Sequence, residues 1–183
     1  MERGQQERLA PMAREVAQEA GLEFRELTRI AATVGPGSFT GLRVGLAFAK
    51  GLRMALGCEA AAIGTLDGLA ASVDADGLVA AVIDARRGQV YWRLFEAGRP
   101  LTEPQISPLP EAGDQMRKLA DGRSVLAAGP GAHLLGDWPA VTAIRDVMAP
   151  DLAALARLAS RARATCALQP LYLRAPDVRA SAP

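Results

Sequence analysis

The chain has 183 residues of which 50% are hydrophobic, enough for one ordinary core or two small ones, and its 21 basic and 20 acidic side chains nearly cancel. No apolar run approaches the roughly 18 residues of a membrane span, and the polar opening MERGQQERLA is not a secretion signal, so a soluble cytoplasmic protein is expected. No Lys/Arg cluster is long enough to track a phosphate backbone unaided, and Cys58 and Cys166 lack zinc-knuckle or redox spacing and read as small apolar residues.

From Leu9 the apolar or small residues Leu9, Met12, Ala13, Val16, Ala17 and Ala20 recur at steps of three and four, and Gly21 stops the run, which predicts an amphipathic helix. Pro11 leaves two readings open: the helix starts near it, or it is kinked there after an earlier turn at Gln5. Residues 30–34 and 60–63 are apolar runs of strand length, each ended by glycine, with a helix from about Phe39 to Leu56 between them. Strand, helix, strand in that order predicts a crossover unit with the two strands adjacent and parallel. Thr65 reads as the cap of a short helix through residue 72.

VDADG, residues 73–77, reads as a linker, dividing the chain into lobes at 1–76 and 77–183. Runs 78–84 and 89–95 read as a hairpin turning at Ala85-Arg86-Arg87-Gly88. Adjacent Tyr91 and Trp92 must point to opposite faces, so only one can lie in the core. A helix over 110–119 leads to a strand at 124–128, Pro150 opens a further helix, and the tail APDVRASAP is expected to fray.

The densest signal is Gly35-Pro36-Gly37-Ser38-Phe39-Thr40-Gly41-Leu42-Arg43. Glycines between a strand and a helix allow close backbone approach, and Ser38 can cap the free amides of the helix N-terminus, where an anion is also favoured. The run is neither a P-loop nor a dinucleotide fingerprint, so phosphate binding and a purely structural turn both stay open. On the helix that follows, the polar residues Arg43, Lys50 and Arg53 keep to one stripe, while apolar or small residues spread over roughly 200°, wider than the face one sheet needs. Either the helix is buried twice within its own chain or a second chain covers it.

The string VGPGSFTGLRVGLAFAKGL, residues 34–52, resembles the signature of the TsaB (YeaZ) family, and IDARRGQVYWRLFE, residues 83–96, its second block. ERLAPMAREV near the start and PLYLRAPDV near the end are similar too. The resemblance implies a two-lobed α/β fold of the actin, sugar-kinase and Hsp70 (ASKHA) type. It also implies a non-catalytic subunit that pairs with TsaD for threonylcarbamoyl transfer onto the tRNA adenosine next to the anticodon. The ATPase companion TsaE and tRNA would be reached through that complex, with ATP and metal on the partner subunits and none bound by this chain alone. The family's docking surface comes from its first two helices, which here match Leu9, Met12 and Val16 and then Val44, Ala47, Phe48, Gly51 and Ala55. A homodimer over the same surface is a second use of it. The matched turn residues are Gly35, Gly37, Ser38, Thr40, Gly41 and Arg43.

Family members open with a strand and hairpin upstream of the first helix, whereas this chain starts almost at that helix. Met1 is therefore expected to be an internal methionine, the first lobe truncated, and the strand at Ile30 left with an open edge prone to non-native pairing. His133 is the single histidine, which gives no zinc-ligand pattern and no base for a nucleophilic Ser38. The rival from another class is a small-molecule kinase or ATPase of the same superfamily, reading Asp84 with Arg86 and Arg87 as a phosphate site; mutual pairing within a charged turn is the simpler expectation.

Overall fold

The computed structural model describes residues 5–165 and 167–174; Cys166 and the predicted fraying tail lie outside the described residues. The first helix, α1 (Gln5–Glu19), begins at Gln5 and carries Pro11 in its interior, so the earlier of the two starts is the one adopted. It ends as Gly21 takes a left-handed φ of 66° while the amide of Leu22 donates to the carbonyl of Ala17 at 2.9 Å, the glycine-dependent closure of a helix end.

Strand β1 (Arg29–Gly35), helix α2 (Phe39–Leu56) and strand β2 (Glu59–Gly64) form the predicted crossover, with β1 and β2 parallel and Arg29 opposite Glu59. Side chains alternate between the faces of this two-stranded sheet. Ile30, Ala32, Val34, Ala60 and Ala62 pack with Leu46 and Ala49 of α2, whereas Ala61 and Ile63 face the last helix, α5 (Leu152–Arg161), at Leu155 and Ala159. Arg29 fastens that helix, its guanidinium donating to the carbonyls of Ala159 at 2.7 Å and Ala162 at 3.1 Å.

Helix α3 (Thr65–Ala71) follows β2 without a loop, and this corrects the role expected of Thr65. Gly64 is the N-cap and Thr65 already the first helical residue, because the strand's last residue has the extended backbone a cap requires. In the second sheet β3 (Leu78–Arg86) and β4 (Gln89–Glu96) form the predicted antiparallel hairpin. Arg86 pairs with Gln89 across Arg87-Gly88, and positive φ at both central residues gives the turn whose twist suits a two-residue hairpin loop.

Beyond the hairpin come the short β5 (Arg99–Pro100), β6 (Gln105–Pro108), helix α4 (Leu109–Ala120), β7 (Val125–Ala128) and β8 (Val141–Arg145). The sheet runs β5-β4-β3-β7-β8, with β6 also on β4. No strand was expected at β5, β6 or β8: prolines and charged or polar residues mask the first two, and all three pair along one side only. Trp92 is the buried member of the aromatic pair; its indole N–H donates to Ser107 Oγ of β6 at 2.9 Å, a buried donor given a buried acceptor. One face of this sheet packs on Ala112, Met116 and Ala120 of α4, the other on Leu66 and Leu69 of α3. The helix between the sheets is thus shared, and Asp67 on α3 receives Arg93 of β4 at 2.8 Å.

Candidate functional site

The glycine-rich turn is built against the end of the chain. Gly35 and Pro36 are buried and joined by a cis peptide, Gly35 has φ of 112°, and a Cβ on it would lie 2.9 Å from the carbonyl oxygen of Leu171. The amide of Leu171 donates to the carbonyl of Val34 at 2.7 Å. Close approach of the closing segment therefore accounts for the glycine at this position. Ser38 caps α2 by accepting the amide of Gly41 at 3.3 Å. Gly37, Ser38 and Thr40 are exposed, and Arg43 lies 3.9 Å over the Phe39 ring while its Nε donates to the Tyr172 hydroxyl at 3.1 Å. Phe39 and Tyr172 stack at 5.2 Å, so an aromatic pair and an arginine close the mouth of the turn. Tyr172 was not singled out in the sequence; only its place in PLYLR hinted at a role.

The apolar arc of α2 divides into three sides. Leu46 and Ala49 are buried on the sheet. Gly41, Leu42, Gly45, Phe48 and Leu52 face an open groove of about 740 Å³, with Leu9 of α1 at the same groove. Ala47, Gly51 and Ala55 are exposed outside it, and space is open around a Cβ built on Gly51. Val44 is half-buried, and on α1 Met12 and Val16 are 48% and 63% exposed. The eight residues singled out on these two helices thus fall in two groups, with Phe48 and Leu9 on the groove and the rest outside it.

At the hairpin, Asp84 accepts the amide of Arg86 at 2.7 Å and pairs with its guanidinium at 3.3 Å, so the carboxylate serves its own turn. His133 is exposed, and among the described residues no three His, Cys, Asp or Glu side chains gather as a metal would need. None of the described helices is long and apolar enough to cross a membrane.

Two α/β lobes sharing a helix, with a glycine turn between strand and helix of the first, define a protein of the ASKHA class whose first lobe has two strands among the described residues. Comparison with known proteins narrows this. Residues 1–119 match the family model described as TsaD, tRNA N6-adenosine threonylcarbamoyltransferase. The chain is 36% identical over 120 residues to the Bacillus subtilis tRNA threonylcarbamoyladenosine biosynthesis protein TsaB, covering 65% of this chain and 50% of that protein. It is 32% identical over 178 residues to an uncharacterized Mycobacterium tuberculosis protein, covering 97% of this chain and 78% of the relative. The solved structure of YeaZ from Pseudomonas aeruginosa superposes with a TM-score of 0.77 at 29% identity, covering 94% of this chain and 86% of that one. The chain belongs to the TsaB (YeaZ) family, and it spans about half the length of the Bacillus relative it matches.

Proposed function

We propose that the chain is a non-catalytic subunit of the tRNA threonylcarbamoyladenosine machinery, docking on TsaD through α1 and the outer side of α2. The exposed stripe of Met12, Val16, Ala47, Gly51 and Ala55 carries this assignment, since apolar and small residues at helical spacing form a face on which a second helix pair can pack closely. Family membership supports the pathway. ATP, metal and the transfer chemistry belong in this reading to the partner subunits, with TsaE and tRNA engaged through the complex in the cytoplasm. Without TsaD, a second copy can take the same face.

Capture of the chain by immobilised TsaD tests the face. Gly51→Leu is expected to abolish capture with helical content unchanged, because a large side chain at a close helix contact costs about 1–3 kcal/mol, roughly 5- to 150-fold in affinity. Ala47→Asp, a charge on the same exposed face, should act likewise. Capture and gel-filtration behaviour unaltered by both substitutions, or threonylcarbamoyl transfer by the purified chain alone, would overturn the assignment.

A further inference from the structure

The C-terminal end of α5 carries more positive charge than the fold uses. Arg157, Arg161 and Arg163 are exposed, α5 contains no carboxylate of its own, and among the described residues none pairs with these three guanidiniums. Basic side chains at such an end ordinarily answer the free carbonyls of the last turn. Here Arg29 of β1 already does so, donating to Ala159 and Ala162 while Glu59 meets its charge. Asp151, at the opposite end of the helix, is engaged as the cap, accepting the amide of Ala154 at 2.8 Å. Arg157 and Arg161 stand four residues apart, a spacing at which like charges repel and destabilise a helix.

These arginines face away from the groove. At 100° per residue, Arg157 and Arg161 lie about 140° and 180° round the helix axis from Leu152, which lines it. Arg163 follows the helix where the chain turns along β2, since the amide of Thr165 donates to the carbonyl of Ala60 at 2.8 Å. The exposed residues around them are Ala153, Ser160 and Ala164, with no aromatic or large apolar group to anchor a protein partner. Planar guanidiniums on a smooth helix face suit phosphate oxygens, which they can bind in pairs. We propose that this end of α5 contacts the phosphate backbone of RNA through Arg157, Arg161 and Arg163, an inference that rests on the reading of the chain as a subunit of a tRNA-modifying machinery. Three contacts give weak, salt-sensitive binding, so the face supplements contacts made elsewhere in the complex.

The test titrates a fluorescently labelled, unmodified tRNA transcript with the full chain, without TsaD, and follows anisotropy between about 20 and 200 mM salt. Binding is expected at the low end and should fade as salt rises. Replacing all three arginines, Arg157→Gln with Arg161→Gln and Arg163→Gln, should weaken binding by roughly tenfold or more and flatten the slope of log K against log salt by about 2 to 3. The same three positions changed to lysine should keep most of the binding. Arg99→Gln with Arg117→Gln and Lys118→Gln removes as many exposed charges from the second lobe and should leave binding nearly unchanged. No binding by the unaltered chain, or an equal loss from the second-lobe variant, overturns the proposal. So does loss of capture by TsaD with RNA binding intact in the α5 variant, which would make the face a contact for an acidic protein surface. Gly51→Leu should leave RNA binding unchanged, so failure of the α1–α2 docking face and failure of this contact are read separately.

Discussion

Single glycines in this chain separate into those that a side chain would collide with and those that face open space, and the two kinds call for opposite outcomes. Gly113 lies inside α4 with the Trp138 ring so near that an added Cβ would sit 2.7 Å from it. Replacing a helical glycine with alanine gains about 1 kcal/mol of propensity, but forcing the half-buried indole aside costs about 1–3 kcal/mol, so the collision wins. Gly45 has nothing within 4 Å. Gly113→Ala is expected to lower the thermal midpoint and Gly45→Ala to raise it by the propensity gain; equal shifts in melting curves would contradict this contrast. Periodicity cannot reveal such a difference, because a glycine's neighbour across the fold is not written next to it. The capping serine was legible, since its partner amide lies three residues along the same chain. Tyr172 was not, since Arg43 meets it across 129 residues of sequence.

Among the elements, α2 was read to its observed ends because its signals are local: a serine cap, apolar residues at helical spacing through its 18 residues with the charges on one stripe, and Gly57 in the left-handed conformation after it. Its over-wide apolar arc was legible too, but not how that arc divides. One side of it faces the open groove and another faces outward, and that division follows from where α1 and α5 lie. Strands β5, β6 and β8 escaped notice because edge strands need little apolar alternation and tolerate proline. The hydrogen bond that Gly41 donates to Ser38 Oγ allows a direct test of the element's N-terminus. Ser38→Ala should destabilise the chain by about 1 kcal/mol with no change in capture by TsaD beyond that loss. Urea denaturation together with the capture assay reads both quantities, and loss of capture at unchanged stability would give Ser38 a contact role instead of a capping one.

At the scale of the molecule, the first lobe depends on the last part of the chain. A two-stranded parallel sheet buries little by itself, and residues 165–171 pack against the two strands described here. The amide of Thr165 donates to the carbonyl of Ala60 at 2.8 Å, Leu168 is fully buried with Leu46 and Ala49, and Leu171 binds Val34. Arg174 then reaches the second lobe at the carbonyl of Ala85 and the side chain of Gln89. The second sheet has six strands and a core filled from both faces, so it holds most of the stability. Removing the Leu168 side chain beyond its β carbon should cost about 2–5 kcal/mol, concentrated in the first lobe. Both tryptophans, Trp92 and Trp138, lie in the second lobe and report on it alone. Leu168→Ala is therefore expected to unfold in two steps: far-ultraviolet circular dichroism falls first, while tryptophan fluorescence holds until a later transition. Amides of residues 29–64 should exchange at the lower free energy, those of β3 and β7 at the higher one. Coincident transitions by the two optical probes would mean that α3 and the Arg93–Asp67 pair bind the lobes into one cooperative unit, and that the closing segment is not what keeps the first sheet folded.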